Sequence, residues 1–255
     1  MTLRFCALAS GSRGNALLVE HDDTLIMIDC GLPLKVLRAR LAVVGRTLED
    51  IDALLITHEH QDHVRGIGPF LRRSDVPLWT SPGTAQAIDV IHRFERLRTD
   101  RELSIGSIHV QPYPVPHDAR EPRQFVLRGG RQRLGLLTDT GHATPVIHEA
   151  LKSCDALGIE FNHDAGMLEN GSYPESVKAR VGSRYGHLNN DQAADLLEHL
   201  AHPGLQWITA LHLSERNNTQ ALVRASAARV TDRCGTAFEL ASQEEPSPWF
   251  EIKPC

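Results

Sequence analysis

Five apolar runs in this chain each lead into a side chain that can ligate a metal, and that grammar constrains the fold more than any other feature. Residues 24–28 run into Asp29, 51–56 into Thr57-His58-Glu59-His60-Gln61-Asp62-His63, 108–115 into His117, 134–137 into Asp139, and 207–211 into His212. Short aliphatic runs bounded by turn residues read as buried strands. Strand ends on one edge of a layered fold can converge in space, and binding groups concentrate in the loops such an edge carries.

Further strands are expected at residues 3–9 and 16–20, around the turn "SGSRGN" (10–15), and at 156–159. Residues 124–127 and 134–137 flank Gly129-Gly130 and form a hairpin. Helices are expected at 33–45, where Leu34, Leu37, Leu41 and Val44 keep helical spacing between a proline and a glycine, then after the histidines through Leu71, and at 145–152, 191–200 and 219–230. No linker, low-complexity segment or repeat divides the 255 residues. Two strand-rich halves, each closing with helices, imply two sheets packed face to face with helices outside. The expected fold is α/β, a four-layer αββα sandwich, in a single domain over 1–255.

The net charge of −5 gives no basic field to draw in nucleic acid. The cysteines (Cys6, Cys30, Cys154, Cys234, Cys255) are odd in number, scattered and without a C-x-x-C, as expected of small buried hydrophobes in a reducing compartment. The apolar N-terminus is too short for a secretory signal, and no run reaches membrane-spanning length. A cytoplasmic, soluble protein is expected. His21, His92, His109, His148, His199 and His202 read as surface or packing residues.

Within the histidine cluster, a tight turn can aim His58 and His60 at one ion and Asp62 and His63 at another. His117 can complete the first set and His212 the second. The two oxygens of Asp139 can bridge both. Imidazole and carboxylate without thiolate suit Zn, Mn or Fe. Positions left open for water make such a site catalytic.

The chain resembles the metallo-β-lactamase superfamily. "THEHQDH" matches its H-x-H-x-D-H signature, and Asp29, His117, Asp139 and His212 follow in the order of its other motifs. "SGSRGN", "IDCG", "PVPHDAREP", "TDTGH", "EFNHD", "GHLNN" and "HLSERNN" are similar to those of the YycJ/WalJ group, from about Leu3 to Thr219. The resemblance implies two divalent ions and phosphodiesterase action on DNA, of a 5′–3′ exonuclease kind, through a hydroxide bridging the metals. It implies that Asp29 holds the turn under the histidine loop, and that Glu160 and His187 stand beside the ligands. Asp62 would double as a catalytic carboxylate. His187 is the candidate acid for the leaving alkoxide, with its pKa lowered by the following helix and Gly186 letting backbone approach substrate.

Candidate substrate contacts are Ser12, Arg13, Asn15, His142, His163, Ser214 and Asn217. Backbone N–H groups of "SGSRGN" can cradle a phosphate, although Gly and Ser also simply make good turns. Arg13, Arg65, Arg120, Arg123, Arg184 and Arg216 can form a local basic patch. Asn189 or Asn190, and Asn217 or Asn218, read as helix caps. The main alternative is a small-molecule hydrolase of a cyclic phosphodiester, lactone or thioester on the same site. A β-lactamase is not expected, because those enzymes carry a different ligand set. A non-catalytic metal-binding or signalling module is disfavoured because no ligand is missing.

Overall fold

The computed structural model describes residues 2–89 and 93–254. His92 and Cys255 lie outside the described residues, as does the Cys234 side chain. Fourteen strands are described: β1 Leu3–Ala9, β2 Ala16–His21, β3 Thr24–Ile28, β4 Ala53–Leu55, β5 Leu78–Thr80, β6 Glu95–Arg96, β7 Leu103–Ile105, β8 Ile108–Pro114, β9 Arg123–Gly129, β10 Gln132–Leu137, β11 Ala156–Glu160, β12 Trp207–Leu211, β13 Ala237–Leu240 and β14 Phe250–Ile252. They form two seven-stranded sheets, β14-β1-β2-β3-β4-β5-β6 and β13-β12-β11-β10-β9-β8-β7.

Each sheet is antiparallel in one half and parallel in the other. β14, β1, β2 and β3 alternate in direction, then β3 to β6 run parallel. In the second sheet β7 to β10 alternate, then β10 to β13 run parallel. Parallel neighbours need crossovers, and helices such as Leu34–Val43, Pro145–Leu151, Asn190–Leu200 and Gln220–Cys234 supply them. Three apolar clusters follow. Phe5, Val19, Ile26, Leu55, Phe125, Leu134 and their neighbours fill the space between the sheets. Leu18, Met27, Leu37, Leu41 and Phe70 pack one outer layer of helices, and Leu137, Ile159, Leu196, Leu197 and Val223 the other. The molecule is the αββα sandwich expected, and strands buried on both faces explain why 24–28 and 207–211 carry no polar alternation.

The helix expected through Leu71 is two short ones, Gln61–Val64 and Ile67–Leu71. It breaks where the Gly66 N–H leaves the helix to reach the Cys30 carbonyl at 2.7 Å. Cys6, Cys30 and Cys154 are buried and unpaired. Among the described residues, no helix is long and apolar enough to cross a membrane.

Candidate metal centre

The carboxyl ends of β3, β4, β8, β10, β11 and β12 meet at one edge, the usual place for ligands in open α/β sheets. Three of these ends turn through left-handed backbone: Asp29 at φ 61°, Asp139 at φ 51° and His212 at φ 55°. Residues other than glycine adopt that region at a cost of order 1–3 kcal/mol and keep it only where surroundings enforce it. Here the Asp29 N–H donates to the Leu55 carbonyl at 2.8 Å, and the His212 N–H to Ser10 Oγ at 2.8 Å. Gly31 makes room beneath the cluster, since a Cβ there would lie 1.7 Å from the Asp62 carbonyl oxygen.

Ligand-type atoms of His58, His60 and His117 lie within 4.8 Å of one another, as do those of Asp62, His63 and His212. His58, His63 and Asp139 form an overlapping set, and Asp139, Glu160, His187 and His212 another. All seven residues expected as ligands are therefore in one cluster. It is closed below and open on one side. The His63 side chain is fully buried, whereas His60, Asp62, Asp118 and His187 keep 30, 21, 31 and 15 % of theirs exposed, so water and substrate can reach it from there.

The hydrogen bonds test whether this cluster suits a cation. His60 Nε2 lies 3.2 Å from the Asp118 carbonyl, and His117 Nδ1 3.1 Å from the Gly186 carbonyl. A carbonyl only accepts, so those nitrogens carry the protons. The remaining nitrogens, His60 Nδ1 and His117 Nε2, face each other at 3.2 Å as two lone pairs. Such a pair repels unless a proton or a metal ion lies between. His63 Nδ1 likewise donates to Asp29 Oδ2 at 2.7 Å, and His212 Nδ1 to Glu160 Oε1 at 2.9 Å, leaving both Nε2 atoms for a ligand. His58 Nε2 and Asp139 Oδ2 are buried with no hydrogen-bond partner. These residues fit divalent ions, and oriented imidazoles of this kind are usual in metal sites.

The charge balance agrees. Burial, then the neighbouring histidines, hold His58 well below the ordinary histidine value, so it is a neutral donor. Burial pushes the Asp139 carboxyl up, but His212 and His63 outweigh it and hold it well below the carboxylate range. Burial lowers His63 and His212, yet Asp139 and the other carboxylates hold both well above the ordinary value. Without metal, protons on these two rings balance the buried carboxylates. Binding cations would displace them.

Asp29 does not face the ligand positions. Its carboxylate accepts from His63 Nδ1 and from the Thr57 N–H and hydroxyl at 2.7–3.0 Å. Asp29→Asn should fold yet bind Zn or Mn about 10- to 100-fold more weakly, the usual cost of losing such a support. Competition with a fluorescent chelator measures this, and wild-type affinity would reduce Asp29 to a turn residue.

Glu160 is fully buried and holds two histidines. Oε1 accepts from His187 Nδ1 at 2.8 Å and from His212 Nδ1 at 2.9 Å. Burial raises its pKa, but His187 and then His212 bring it down to about 2. In return His187, which burial lowers, is held net above its ordinary value by Glu160. The expected lowering by the helix does not occur: the helix begins at Asn190, capped by Asn189, and the carboxylate is in direct contact. Gly186 has a structural reason of its own. A Cβ there would lie 2.1 Å from the Val181 carbonyl oxygen, so it lets its own loop close.

Several candidate substrate contacts are occupied within the protein. The Arg13 guanidinium is held by Glu215 at 2.7 Å and by Glu244, and Ser12 is exposed beside it. The "SGSRGN" turn is not a free nest. The N–H groups of Gly11, Arg13, Gly14 and Asn15 already donate to Asn15 Oδ1, Gln243 Oε1, the Gly11 carbonyl and the Asp62 carbonyl. Asn15 is buried, its amide 3.3 Å from Asp62 Oδ2, and so secures a proposed ligand. Ser214 Oγ accepts from the Asn217 N–H at 3.2 Å, and Asn217 Nδ2 is buried without a partner. His163 is buried, and burial brings its pKa down to about 4. His142 packs on the Arg184 carbonyl at 3.0 Å. Of the arginines, Arg123 pairs with Glu121 at 2.6 Å and Arg216 lies over the Tyr173 ring at 5.8 Å, while Arg65 and Arg184 are exposed. Thr219, not an asparagine, caps the helix Gln220–Cys234; Asn218 instead donates to the Phe161 and Asn162 carbonyls.

Two residues were missed. Thr57 opens the cluster and links Asp29 to His58, and Asp118 supports His60 through its carbonyl. Their adjacency to the candidate ligand histidines was the available signal.

Residues 24–209 match the family described as "Beta-lactamase superfamily domain". The chain belongs to the metallo-β-lactamase superfamily. Within it, the chain is 33% identical to "Exodeoxyribonuclease YycJ" of Bacillus anthracis over 97% of its length and 98% of the relative's. It is 33% identical to "Exodeoxyribonuclease WalJ" of Streptococcus pneumoniae over 86% of its length and 84% of that protein's. It is thus a YycJ/WalJ-like member of the superfamily. The fold is shared with the metallo-β-lactamase fold protein YhfI of Bacillus subtilis, at TM-score 0.76 and 15% identity over 98% of this chain and 100% of that one.

Proposed function

We propose that this metal-dependent hydrolase is a phosphodiesterase that cleaves DNA, as an exonuclease, with two divalent ions of Zn, Mn or Fe. The observation that carries the reading is the end-to-end similarity to a protein named as an exodeoxyribonuclease, joined to a donor set that lacks no member. His58, His60 and His117 would hold one ion and Asp62, His63 and His212 the other, with Asp139 between. Bound there, divalent ions lower the pKa of water and offset charge on a phosphoryl group.

The chain's own residues supply the rest. The Asn15 amide, 3.3 Å from Asp62 Oδ2, steadies the Asp62 carboxylate, so that it orients the attacking water from the open side. His187, its Nδ1–H on Glu160, is placed to give its second ring proton to the leaving oxygen. The acidic chain grips DNA locally rather than through its net charge. We propose that residues 1–255 act as one domain, in the cytoplasm.

End-labelled single- and double-stranded DNA, assayed beside bis(p-nitrophenyl) phosphate, a lactone and a glutathione thioester, tests the reading. Release of nucleotides from DNA supports it. Turnover of the lactone or thioester with DNA untouched overturns it. Glu160→Gln should shift the pH profile with a definite sign. The carboxylate raises the His187 pKa, so its loss lowers that pKa, and activity should fall at a lower pH as pH rises than in wild type. An unshifted basic limb removes His187 from the rate law.

A further inference from the structure

Two asparagine doublets, Asn189-Asn190 and Asn217-Asn218, each follow a histidine of the candidate centre, and helix capping accounts for only part of them. Asn189 caps the helix Asn190–Leu200, and Thr219 caps Gln220–Cys234. Asn190 and Asn218 cap neither helix, yet they are only 3 and 7 % exposed. Their side chains meet as a reciprocal amide pair. Asn190 Nδ2 donates to Asn218 Oδ1 at 3.0 Å, and Asn218 Nδ2 to Asn190 Oδ1 at 2.9 Å. Asn218 Nδ2 also lies 2.9 and 3.1 Å from the carbonyls of Phe161 and Asn162, the two residues after Glu160.

Three segments therefore lie side by side, with residues 160–163 in the middle. On one flank the Asn162 N–H donates to the Leu188 carbonyl at 3.1 Å, and the Asn190 N–H to the His163 carbonyl at 2.9 Å. On the other flank the Ser214 N–H donates to the Asn162 carbonyl at 2.8 Å, and Asn162 Nδ2 to the His212 carbonyl at 3.1 Å. Among the described residues, the Asn190–Asn218 pair is the one hydrogen-bonded link that joins residues 187–190 directly to residues 211–219. Slipping either segment would leave buried amide groups without partners, so the pair holds one register. We propose that it is a clasp, in which Asn190 and Asn218 act as positioning residues that hold His187 against Glu160 and His212. Neither belongs to the groups of ligand-type residues, so both act through the histidines. The inference rests on the contact of His187 with Glu160, and its catalytic readout on the nuclease reading above.

The first readout needs no turnover. In zinc-loaded protein with isotope-labelled histidine, the Nδ1 proton that His187 donates to Glu160 should give a slowly exchanging magnetic resonance signal, assigned by its loss in His187→Ala. Asn190→Leu, similar in volume but unable to pair, should lose that signal to exchange. The second readout is steady-state cleavage of end-labelled DNA. Asn190→Leu should lower kcat by roughly 10- to 100-fold at unchanged KM, the order expected when a group is misplaced by about 1 Å. In a His187→Ala background the same substitution should cost nothing further. A merely structural role would lower the melting temperature and cost the same in both backgrounds. Asn190→Ala makes the same comparison if the leucine variant folds poorly. A His187 signal that persists without the Asn190 amide, or equal losses of kcat in the two backgrounds, overturns the clasp and leaves the nuclease reading intact. Failure of wild type to cleave any DNA overturns the nuclease reading, and the His187 signal then decides the clasp alone.

Discussion

Asp139→Ala should lose hydrolysis by about 10³-fold or more and should no longer hold two metal ions. Asp139 is 2 % exposed, lies among His63, His117, His187 and His212 at 3.3–3.8 Å, and belongs to two of the overlapping groups of ligand-type residues. Charge stabilisation by bound metal is worth several kcal/mol, and each 1.36 kcal/mol is tenfold in rate. The same substitution removes the anion that keeps His63 and His212 protonated in the metal-free protein. Removing one partner of a buried charged set destabilises by roughly 3–5 kcal/mol. Asp139→Asn keeps the volume and one acceptor oxygen, and is the control if the alanine variant folds poorly. Metal content by plasma mass spectrometry and turnover of bis(p-nitrophenyl) phosphate give the two readouts. Two ions with full activity in Asp139→Ala would end the bridging assignment.

The frame of this centre was legible because its signals are local. The candidate site residues follow apolar runs, and a buried strand end is recognisable from a few residues, as at residues 24–28 before Asp29 and 207–211 before His212. β5, β6, β7, β13 and β14 were not read. They are two to four residues long, or mix exposed positions with buried ones, and neighbouring strands rather than their own pattern define them. Side-chain partners were less legible still. Nothing local in "SGSRGN" reveals that Arg13 meets Glu215 and Glu244, each about two hundred residues away. The pKa of His187 failed for the same reason. The nearby helix is visible in sequence, whereas the contact with Glu160 is a product of the fold.

That contact sharpens what His187→Ala should do. The ring lies between those of His117 and His212, at 5.2 and 5.3 Å between centroids, and its Nδ1 is committed to Glu160. Only the other nitrogen is free, and two roles compete for it. As an acid, it carries a proton that the buried carboxylate helps retain near neutral pH. As an eighth ligand, it gives up that proton to hold an ion, a geometry that its grouping with Asp139, Glu160 and His212 permits. The seven other proposed donors would already satisfy two ions, and a proton is needed where the leaving alkoxide departs, so the acid role is expected. His187→Ala should then keep both metals and lose roughly 10²- to 10⁴-fold in rate on DNA, the usual range for general acid catalysis. A nitrophenolate leaves without needing a proton, so turnover of bis(p-nitrophenyl) phosphate should fall far less. Equal losses on the two substrates would remove the acid role. Loss of one ion would make His187 a ligand, and the pH shift expected of Glu160→Gln would then belong to metal affinity rather than to proton transfer.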